Sequence, residues 1–177
     1  MAEEVIIADY QSEWAEQFEY EKARLQSALH DKTIVIEHIG STSVQGLPAK
    51  PILDIAVGVS KLAEADDFIG PLCAIGYEYV PKADFPNRRF FRKGEWRKGT
   101  HHLHVYELQS EEWSNNIRFR NYLRSNPEKA QEYARLKKQL ASLYAEDRAT
   151  YTLLKAPFIN SVIGLAKNEG HDLSPKL

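Results

Sequence analysis

The sequence predicts an α+β protein in which a small sheet is followed by a helical C-terminal segment. Short runs rich in Ile, Val, Tyr and Phe occur between residues 33 and 108, whereas the chain after Ser110 is charged and patterned like helices. Strands that come first and helices that follow are typical of α+β folds. The 177 residues correspond to roughly one domain at about 150 residues each. We therefore expect one compact unit, with a sheet domain at residues 1–109 and a helical segment at 110–177 packed on it.

The first half of the chain alternates one helix with several strands. A helix is predicted at residues 12–30, because Trp14, Phe18 and Leu25 recur at helical spacing and Ser12 can cap the N-terminus. Strands are predicted at residues 33–39, 52–59, 77–82, 89–93 and 101–108. These runs are short, rich in β-branched and aromatic residues, and separated by Gly and Pro, as strands are.

Glycine and proline divide the remaining elements. Residues 62–75 have an amphipathic helical pattern that Gly76 ends, and Gly70-Pro71 is expected to kink or divide it. Turns between the last two strands are expected at Lys93-Gly94 and at Lys98-Gly99.

The C-terminal part is predicted to contain three helices. The first covers residues 111–124, and the second begins at Pro127, which suits the first helical position. The third covers residues 147–166 and is expected to be interrupted near Pro157, because a helix interior tolerates proline badly.

Composition and charge exclude several classes of protein. A net charge of −2 with 27% charged residues is ordinary for a globular domain and argues against nucleic acid as a constitutive partner. The single cysteine, Cys73, excludes an internal disulfide and a multi-thiolate zinc site. The start of the chain lacks the basic region of a signal peptide, and no apolar run approaches the roughly 20 residues of a membrane span. We expect a cytoplasmic protein without a membrane partner.

The most informative segment links the first two strands. Gly40 allows a ligand to approach the backbone closely, and the hydroxyls of Ser41, Thr42 and Ser43 at a helix start suit phosphate. Asp54 follows in an otherwise apolar strand, where an unpaired carboxylate is costly. A metal, a lysine or a ligand would offset that cost. The structural alternative is that Ser41 caps a short helix and Asp54 bonds to a neighbouring group.

A pair of histidines lies on a later strand. His102 and His104 point to one face of that strand because side chains alternate. With Asp54 on an adjacent strand they would form a ligand set suited to zinc, manganese or iron rather than magnesium. We expect all three side chains to face one cleft. The alternative is a pair of histidines on a solvated sheet face.

Two cationic segments could neutralise phosphate. The first is a basic stretch interleaved with aromatic residues, which is either an anion-binding rim or an exposed hairpin with solvated charges: Arg88, Arg89, Phe90, Phe91, Arg92, Lys93, Trp96, Arg97 and Lys98. In the second, Arg148, Tyr151 and Lys155 share one helical face. We expect Tyr151 and Lys155 to point back at the Gly40-Ser41 turn, although such a face can equally extend its charges into water.

Several ordered motifs resemble the GrpB family of the nucleotidyltransferase superfamily. They are the segments at residues 36–44, 49–55, 89–93, 101–105, 117–124 and 151–155. The resemblance extends from about Ile7 to Ala166 and implies a polymerase-β-like nucleotidyltransferase core, a small mixed sheet with flanking helices. Related domains also occur fused to dephospho-CoA kinases, which suggests nucleotide or coenzyme handling.

The resemblance also implies roles for site residues. Gly40-Ser41 falls on the turn that holds nucleotide phosphates, and Asp54 falls on the first metal-binding carboxylate of the superfamily. The second acidic position falls on Ala56, which cannot bind magnesium. Glu37 or Glu107 could substitute only if the fold brings one of them close.

These observations support three hypotheses for function. The first is a protein that binds a nucleotide or a phosphorylated small molecule and transfers a nucleotidyl group to an acceptor. In it Asp54, His102 and His104 are the catalytic and metal residues, the metal being a divalent transition ion. Its phosphate-binding residues are Gly40, Ser41, Thr42, Ser43, Lys50, Arg89, Tyr151 and Lys155. The second is a non-catalytic module binding the same ligands, and the third is an RNA-binding accessory.

Overall fold

The computed structural model describes residues 4–30, 32 and 34–170 and contains one mixed sheet with helices on both faces. Its strands are β1 (Val35–Ile39), β2 (Leu53–Val59), β3 (Tyr77–Tyr79), β4 (Arg88–Glu95) and β5 (Lys98–Glu107). Its α-helices are α1 (Glu13–Ala28), α2 (Ile69–Ala74), α3 (Glu111–Ser125), α4 (Pro127–Leu143) and α5 (Arg148–Asn168). Short 3₁₀ helices occupy Ser41–Ser43 and Leu62–Phe68. Thr33, the predicted start of the first strand, and residues 171–177 lie outside the described residues.

The order of strands in the sheet is β1-β2-β5-β4-β3. β2 and β5 are parallel, whereas β1 with β2, β5 with β4 and β4 with β3 are antiparallel. Two strands that neighbour each other in parallel need a long crossover, and here α2, β3 and β4 supply it. The pairing matters for function because it places the start of β2 directly beside the histidines of β5.

The two faces of the sheet differ in chemistry. One face forms the main core, in which Ile55 and Val57 of β2, Leu103 of β5 and Phe91 of β4 are fully buried against α1 and α2. The opposite face carries Asp54, Ala56 and Gly58 of β2, because side chains alternate along a strand. On that face α3 covers Ala56 with Trp113 and Ile117.

A buried carboxylate connects α1 to the sheet. Glu21 is buried on α1 and accepts hydrogen bonds from Tyr77 Oη at 2.8 Å and from Lys93 Nζ at 2.9 Å. A carboxylate inside a core is tolerated only when it is paired in this way. The helical pattern of residues 12–30 could not predict that Glu21 is buried and paired, because its partners Tyr77 and Lys93 lie far along the chain.

Three expectations about elements are corrected. Residues 62–75 divide at Phe68/Ile69, where the 3₁₀ helix passes into α2, and not at Gly70-Pro71. The β4–β5 hairpin turns at Trp96 and Arg97, since Gly94 pairs with Gly99 inside the ladder beside a β-bulge. Arg97 has a φ of 63° at this turn.

The third correction concerns Pro157, which lies inside one continuous helix, α5. A proline removes one helical hydrogen bond, but packing can outweigh that loss. Phe158, Val162 and Ala166, which follow the proline, pack with α3 and α4 in a second apolar cluster. Tyr151, which precedes the proline, packs against Leu140 of α4, so α5 is held on both sides.

None of the helices among the described residues is long and apolar enough to cross a membrane.

Candidate functional site

Asp54 and the two histidines meet on one face of the sheet, as their spacing predicts. Asp54 pairs in register with His102 across the parallel β2–β5 ladder. His102 Nδ1 lies 3.4 Å and His104 Nε2 lies 3.6 Å from Asp54 Oδ1. The three side chains therefore share one face and contact one another, as expected, while their opening into a single cleft and their catalytic role stay predictions.

The charges of this group follow from burial and from mutual contact. Burial by itself raises the pKa of Asp54, but the hydrogen bonds and charges of His102 and His104 outweigh it and hold the pKa well below its ordinary value. Burial lowers the pKa of His104, and the nearby Asp54 carboxylate only partly opposes this effect. At neutral pH Asp54 is accordingly an anion that both imidazoles face.

The Gly40 turn is shaped around Asp54. Gly40 has a φ of 69°, and a Cβ built there would lie 2.7 Å from Asp54 Oδ2. A side chain at this position is therefore excluded twice, by backbone conformation and by the carboxylate. Gly40 was predicted to allow close approach of a ligand. In the structure its missing side chain leaves room for the side chain of Asp54.

The three hydroxyls after Gly40 have different partners. Thr42 Oγ1 bonds to His38 Nε2 at 2.9 Å, and Ser43 Oγ donates to the Gly40 carbonyl at 2.5 Å. Both residues are buried. Thr42 also lines the cavity beside Ser41, so its phosphate contact stays a prediction, whereas the Ser43 hydroxyl is bonded inside the turn. Ser41 lines the cavity beside Asp54 and keeps its predicted position. The helix expected to bind phosphate at its N-terminus is a three-residue 3₁₀ turn.

A cationic cavity of about 220 Å³ opens between this turn and the C-terminal helices. Its charged lining residues are Lys50, Asp54, Lys137, Arg148 and Lys155. Lys50 Nζ and Lys155 Nζ lie 4.7 and 4.5 Å from the centroid of the Tyr151 ring, which is buried between them. Tyr151 and Lys155 thus share a cavity with Ser41, and the predicted direction of this helical face is confirmed.

Lys137 is the functional candidate that sequence reasoning missed. The residue is only 2% exposed, and its Nζ donates to the Pro48 carbonyl. Burial, together with the positive charges of Lys155 and Lys50, lowers the pKa of Lys137 to about 7. The helical spacing of the sequence could have indicated that Lys137 is buried. The residue lies between Tyr133 and Leu140 on the buried stripe of α4.

Arg89 lies outside the site, contrary to the prediction. The β4–β5 register pairs Phe90 with His104, so Arg88 and Phe90 share the face of Asp54 and Arg89 points to the other face. There Arg89 Nε bonds to Asp66 Oδ1 at 3.2 Å. Arg88 takes the place predicted for Arg89, with its guanidinium nitrogen 3.4 Å from His104 Nδ1.

The residues do not fit the two magnesium ions that the superfamily implies. Ala56 is buried under α3, Glu37 is ion-paired with Arg120, and Glu107 accepts a hydrogen bond from the Leu62 amide. Across residues 4–30, 32 and 34–170, no group of three or more His, Cys, Asp or Glu side chains is arranged to hold a metal ion. A transition ion at Asp54, His102 and His104 stays a prediction.

The fold and the Gly-Ser turn beside a strand aspartate define a polymerase-β-like nucleotidyltransferase architecture. A structure of the Cid1 poly(U) polymerase bound to MgATP matches with a TM-score of 0.54 at 14% identity, covering 77% of this chain and 44% of that chain. Identity this low supports the fold and nothing finer. The predicted fold class is confirmed.

The chain belongs to the GrpB family, whose model, described as GrpB protein, matches residues 4–164. The crystal structure of the conserved protein GrpB from Enterococcus faecalis is similar, with a TM-score of 0.86 and 39% identity over 94% of this chain and 100% of that chain. The glutamate-rich protein GrpB of Alkalihalophilus pseudofirmus is 35% identical over 90% of this chain and 94% of its own length. A dephospho-CoA kinase of Mycolicibacterium paratuberculosis is 26% identical over 82% of this chain, which spans 42% of that protein.

Proposed function

We propose that the cavity beside Asp54 binds the phosphate groups of a nucleotide or of a phosphorylated small molecule. One observation carries this proposal: Lys50, Lys137, Arg148 and Lys155 converge on a cavity in which Asp54 is the single carboxylate among the described lining residues. Like charges that crowd together destabilise the unliganded protein, and the charges of Lys155 and Lys50 add to the effect of burial in lowering the pKa of Lys137. A bound polyanion relieves that repulsion and gains charge-assisted hydrogen bonds.

A second, less polar cavity extends the site on the other side of Asp54. It has a volume of about 640 Å³ and shares Ser41, Asp54 and Lys155 with the cationic cavity. Aromatic and amide side chains line it, among them Tyr106, Asn115, Asn116, Phe119 and Tyr133. Such a lining suits the flat, hydrogen-bonding part of a nucleoside or coenzyme. We infer a ligand whose phosphates lie among the lysines and whose larger group lies on this side.

The site residues take distinct roles in this proposal. The Ser41 hydroxyl donates to a phosphate oxygen, and Lys155 lies where the two cavities meet. Asp54 keeps His102 and His104 oriented and repels a phosphate that enters too far. Transfer of a nucleotidyl group would need the carboxylates that Ala56 and the paired Glu37 do not provide, so binding is the function we favour over transfer.

Calorimetric titration tests the proposal directly. The purified protein is titrated with ATP, UTP, dephospho-CoA and inorganic pyrophosphate, each with and without magnesium, manganese or zinc. We expect at least one of these ligands to bind without added metal. Binding that requires a metal would favour the transferase hypothesis, and the absence of binding to all four would refute the proposal.

Replacing Lys137 by Met should weaken the affinity for the ligand found in this screen by about tenfold. A buried charge-assisted hydrogen bond contributes about 1.5–3 kcal/mol, and the lowered pKa means that part of the charge is already lost at pH 7. Lys138→Met is the matched control, because the neighbouring Lys138 is 56% exposed and pairs with Asp9 on the surface. Equal losses in both variants, measured by calorimetry, would show that net charge and not the cavity governs binding.

Affinity for the same ligand should decrease as the pH rises above 7. Lys137 has a pKa of about 7 in the free protein, and a bound anion raises that pKa, so binding takes up a proton at higher pH. The loss can reach about tenfold per pH unit for one linked proton. Titrations at pH 7.5 and 9.5 check this, and the decrease should be smaller in Lys137→Met. If the affinity of Lys137→Met decreased by the same factor between these pH values, the proton would be taken up by another group.

A further inference from the structure

The half of the sheet that α3 leaves uncovered forms a separate groove. On this face β4 and β5 carry alternating side chains whose register sets them side by side, with Phe90 opposite His104 and Arg92 opposite His102. The start of α5 contributes Arg148 to the groove wall. The groove has a volume of about 720 Å³ and adjoins the Asp54 cavity, with which it shares Ile52, His102, Arg148 and Thr152.

The lining of this groove combines cations with aromatic rings. Its cationic residues are Lys82, Arg88, Arg92, Arg97 and Arg148, and the single carboxylate among the described lining residues belongs to Glu78. Trp96, at the hairpin turn, is 75% exposed, which is unusual for so large an apolar ring. The Arg92 guanidinium lies 5.0 Å from the centroid of the Trp96 ring. The groove therefore offers stacking surfaces next to positive charge.

Arg88 adds an independent observation. Its Nε atom is buried and has no hydrogen-bond partner among the described residues. Its guanidinium group lies 4.3 Å from the centroid of the Phe85 ring and close to His104. A buried donor without a partner costs free energy. Arg88 lines both this groove and the larger cavity beside Asp54, so a ligand acceptor that reaches its guanidinium would offset that cost.

We propose that this groove binds single-stranded nucleic acid. Unpaired bases stack on exposed aromatic rings whatever their identity, while arginines and lysines follow the phosphate backbone. A duplex keeps its bases stacked and cannot use Trp96 and Phe90 in this way. The overall charge of −2 conceals this patch, because the cations are concentrated on one face. The proposal goes beyond the phosphate cavity and does not depend on it.

Fluorescence titration with a labelled single-stranded 12-mer of uridine, and with the corresponding thymidine strand, tests this proposal. Trp14 and Trp113 are buried, so quenching of the intrinsic fluorescence reports mainly on Trp96. We expect quenching on binding and a log–log salt dependence with a slope of about −2 to −3, as for three or four neutralised phosphates. A duplex of equal length should bind more weakly.

Substitutions inside and outside the groove test whether strand binding depends on it. Trp96→Ala should weaken strand binding about tenfold, within the range of stacking losses, and Arg92→Ala should reduce the salt slope by about one. Tyr20→Ala is the control, since Tyr20 is 69% exposed on α1, away from the groove. Lys137→Met should leave strand binding unchanged, because Lys137 lines the phosphate cavity and is not among the residues that line the groove.

Several results would overturn the proposal. Strand binding that persists in both Trp96→Ala and Arg92→Ala would place it elsewhere. If Lys137→Met lost strand binding while Trp96→Ala and Arg92→Ala kept it, the phosphate cavity would be holding only a terminal phosphate of the strand. Stronger binding to duplex, or binding to phosphatidylserine vesicles but to neither strand, would exclude a single-strand groove.

Discussion

Replacing Arg120 by Met is expected to lower the free energy of unfolding by about 3–5 kcal/mol, because a buried ion pair loses one partner. Arg120 lies on α3 and is 2% exposed. Its guanidinium donates to Glu37 of β1, to the His38 carbonyl and to the Asn121 side chain. Removal of the arginine leaves the Glu37 carboxylate without this partner under α3 and removes the donors to the His38 carbonyl and the Asn121 side chain.

Denaturant unfolding followed by circular dichroism measures this loss. Arg118→Met is the matched control on the same helix, where the guanidinium bonds to Asn115 one turn away, and its effect should be below 1 kcal/mol. The double variant Arg120→Met with Glu37→Gln should recover part of the stability, because the uncompensated charge is gone. A loss of less than 1 kcal/mol in Arg120→Met, or no recovery in the double variant, would show that the ion pair does not fasten α3 to the sheet.

Asp54→Asn is expected to tighten phosphate binding by about tenfold to a hundredfold. Asp54 is the single carboxylate among the charged residues that line the cationic cavity, and it is ionised at neutral pH. Its repulsion of a phosphate a few ångströms away is worth about 1–3 kcal/mol at an effective dielectric constant near 20. Asparagine keeps the shape and can still face both imidazoles. Calorimetric titration of parent and variant with the same phosphate ligand measures the change.

The same variant decides between anion binding and metal binding at this position. If Asp54 holds a divalent ion together with His102 and His104, the substitution should instead abolish metal-dependent binding. Zinc and nickel should then bind the parent protein more tightly than magnesium, because imidazole nitrogens suit transition ions. Asp66→Asn is the control, since Asp66 pairs with Arg89 on the other face of the sheet and should change neither affinity. A parent protein that binds neither zinc nor manganese would end the metal hypothesis.

Local periodicity predicted a large part of the candidate site correctly. His102 and His104 had to share a face because side chains alternate along a strand, and that rule needs no knowledge of neighbouring strands. Tyr151 and Lys155 had to share a helical face for the same kind of reason. The isolated carboxylate of Asp54 in an apolar strand was also visible in the sequence, since burial of an unpaired charge is costly anywhere.

The same rules fail where the position of a side chain or the continuity of a helix depends on contacts between elements. Arg89 and Arg88 are neighbours, and only the pairing of Phe90 with His104 decides which of the two faces Asp54. Pro157 should interrupt a helix by local rules, yet packing of α5 against α3 and α4 keeps it continuous. Single-residue preferences are worth a few kcal/mol at most, so tertiary packing can outweigh them.

By itself, then, the sequence determined the α+β class, most of the strands and helices, the family, and the side chains that share a face within one element. The tertiary structure alone decided that Lys137 joins the Asp54 cavity, that Thr42 and Ser43 turn inward, and that the basic hairpin forms one wall of a groove. The physical reason is the range of the forces that set each feature. Periodicity and capping act within a few residues, whereas burial of a charge and register between strands depend on groups far apart in the chain that only the folded protein brings together.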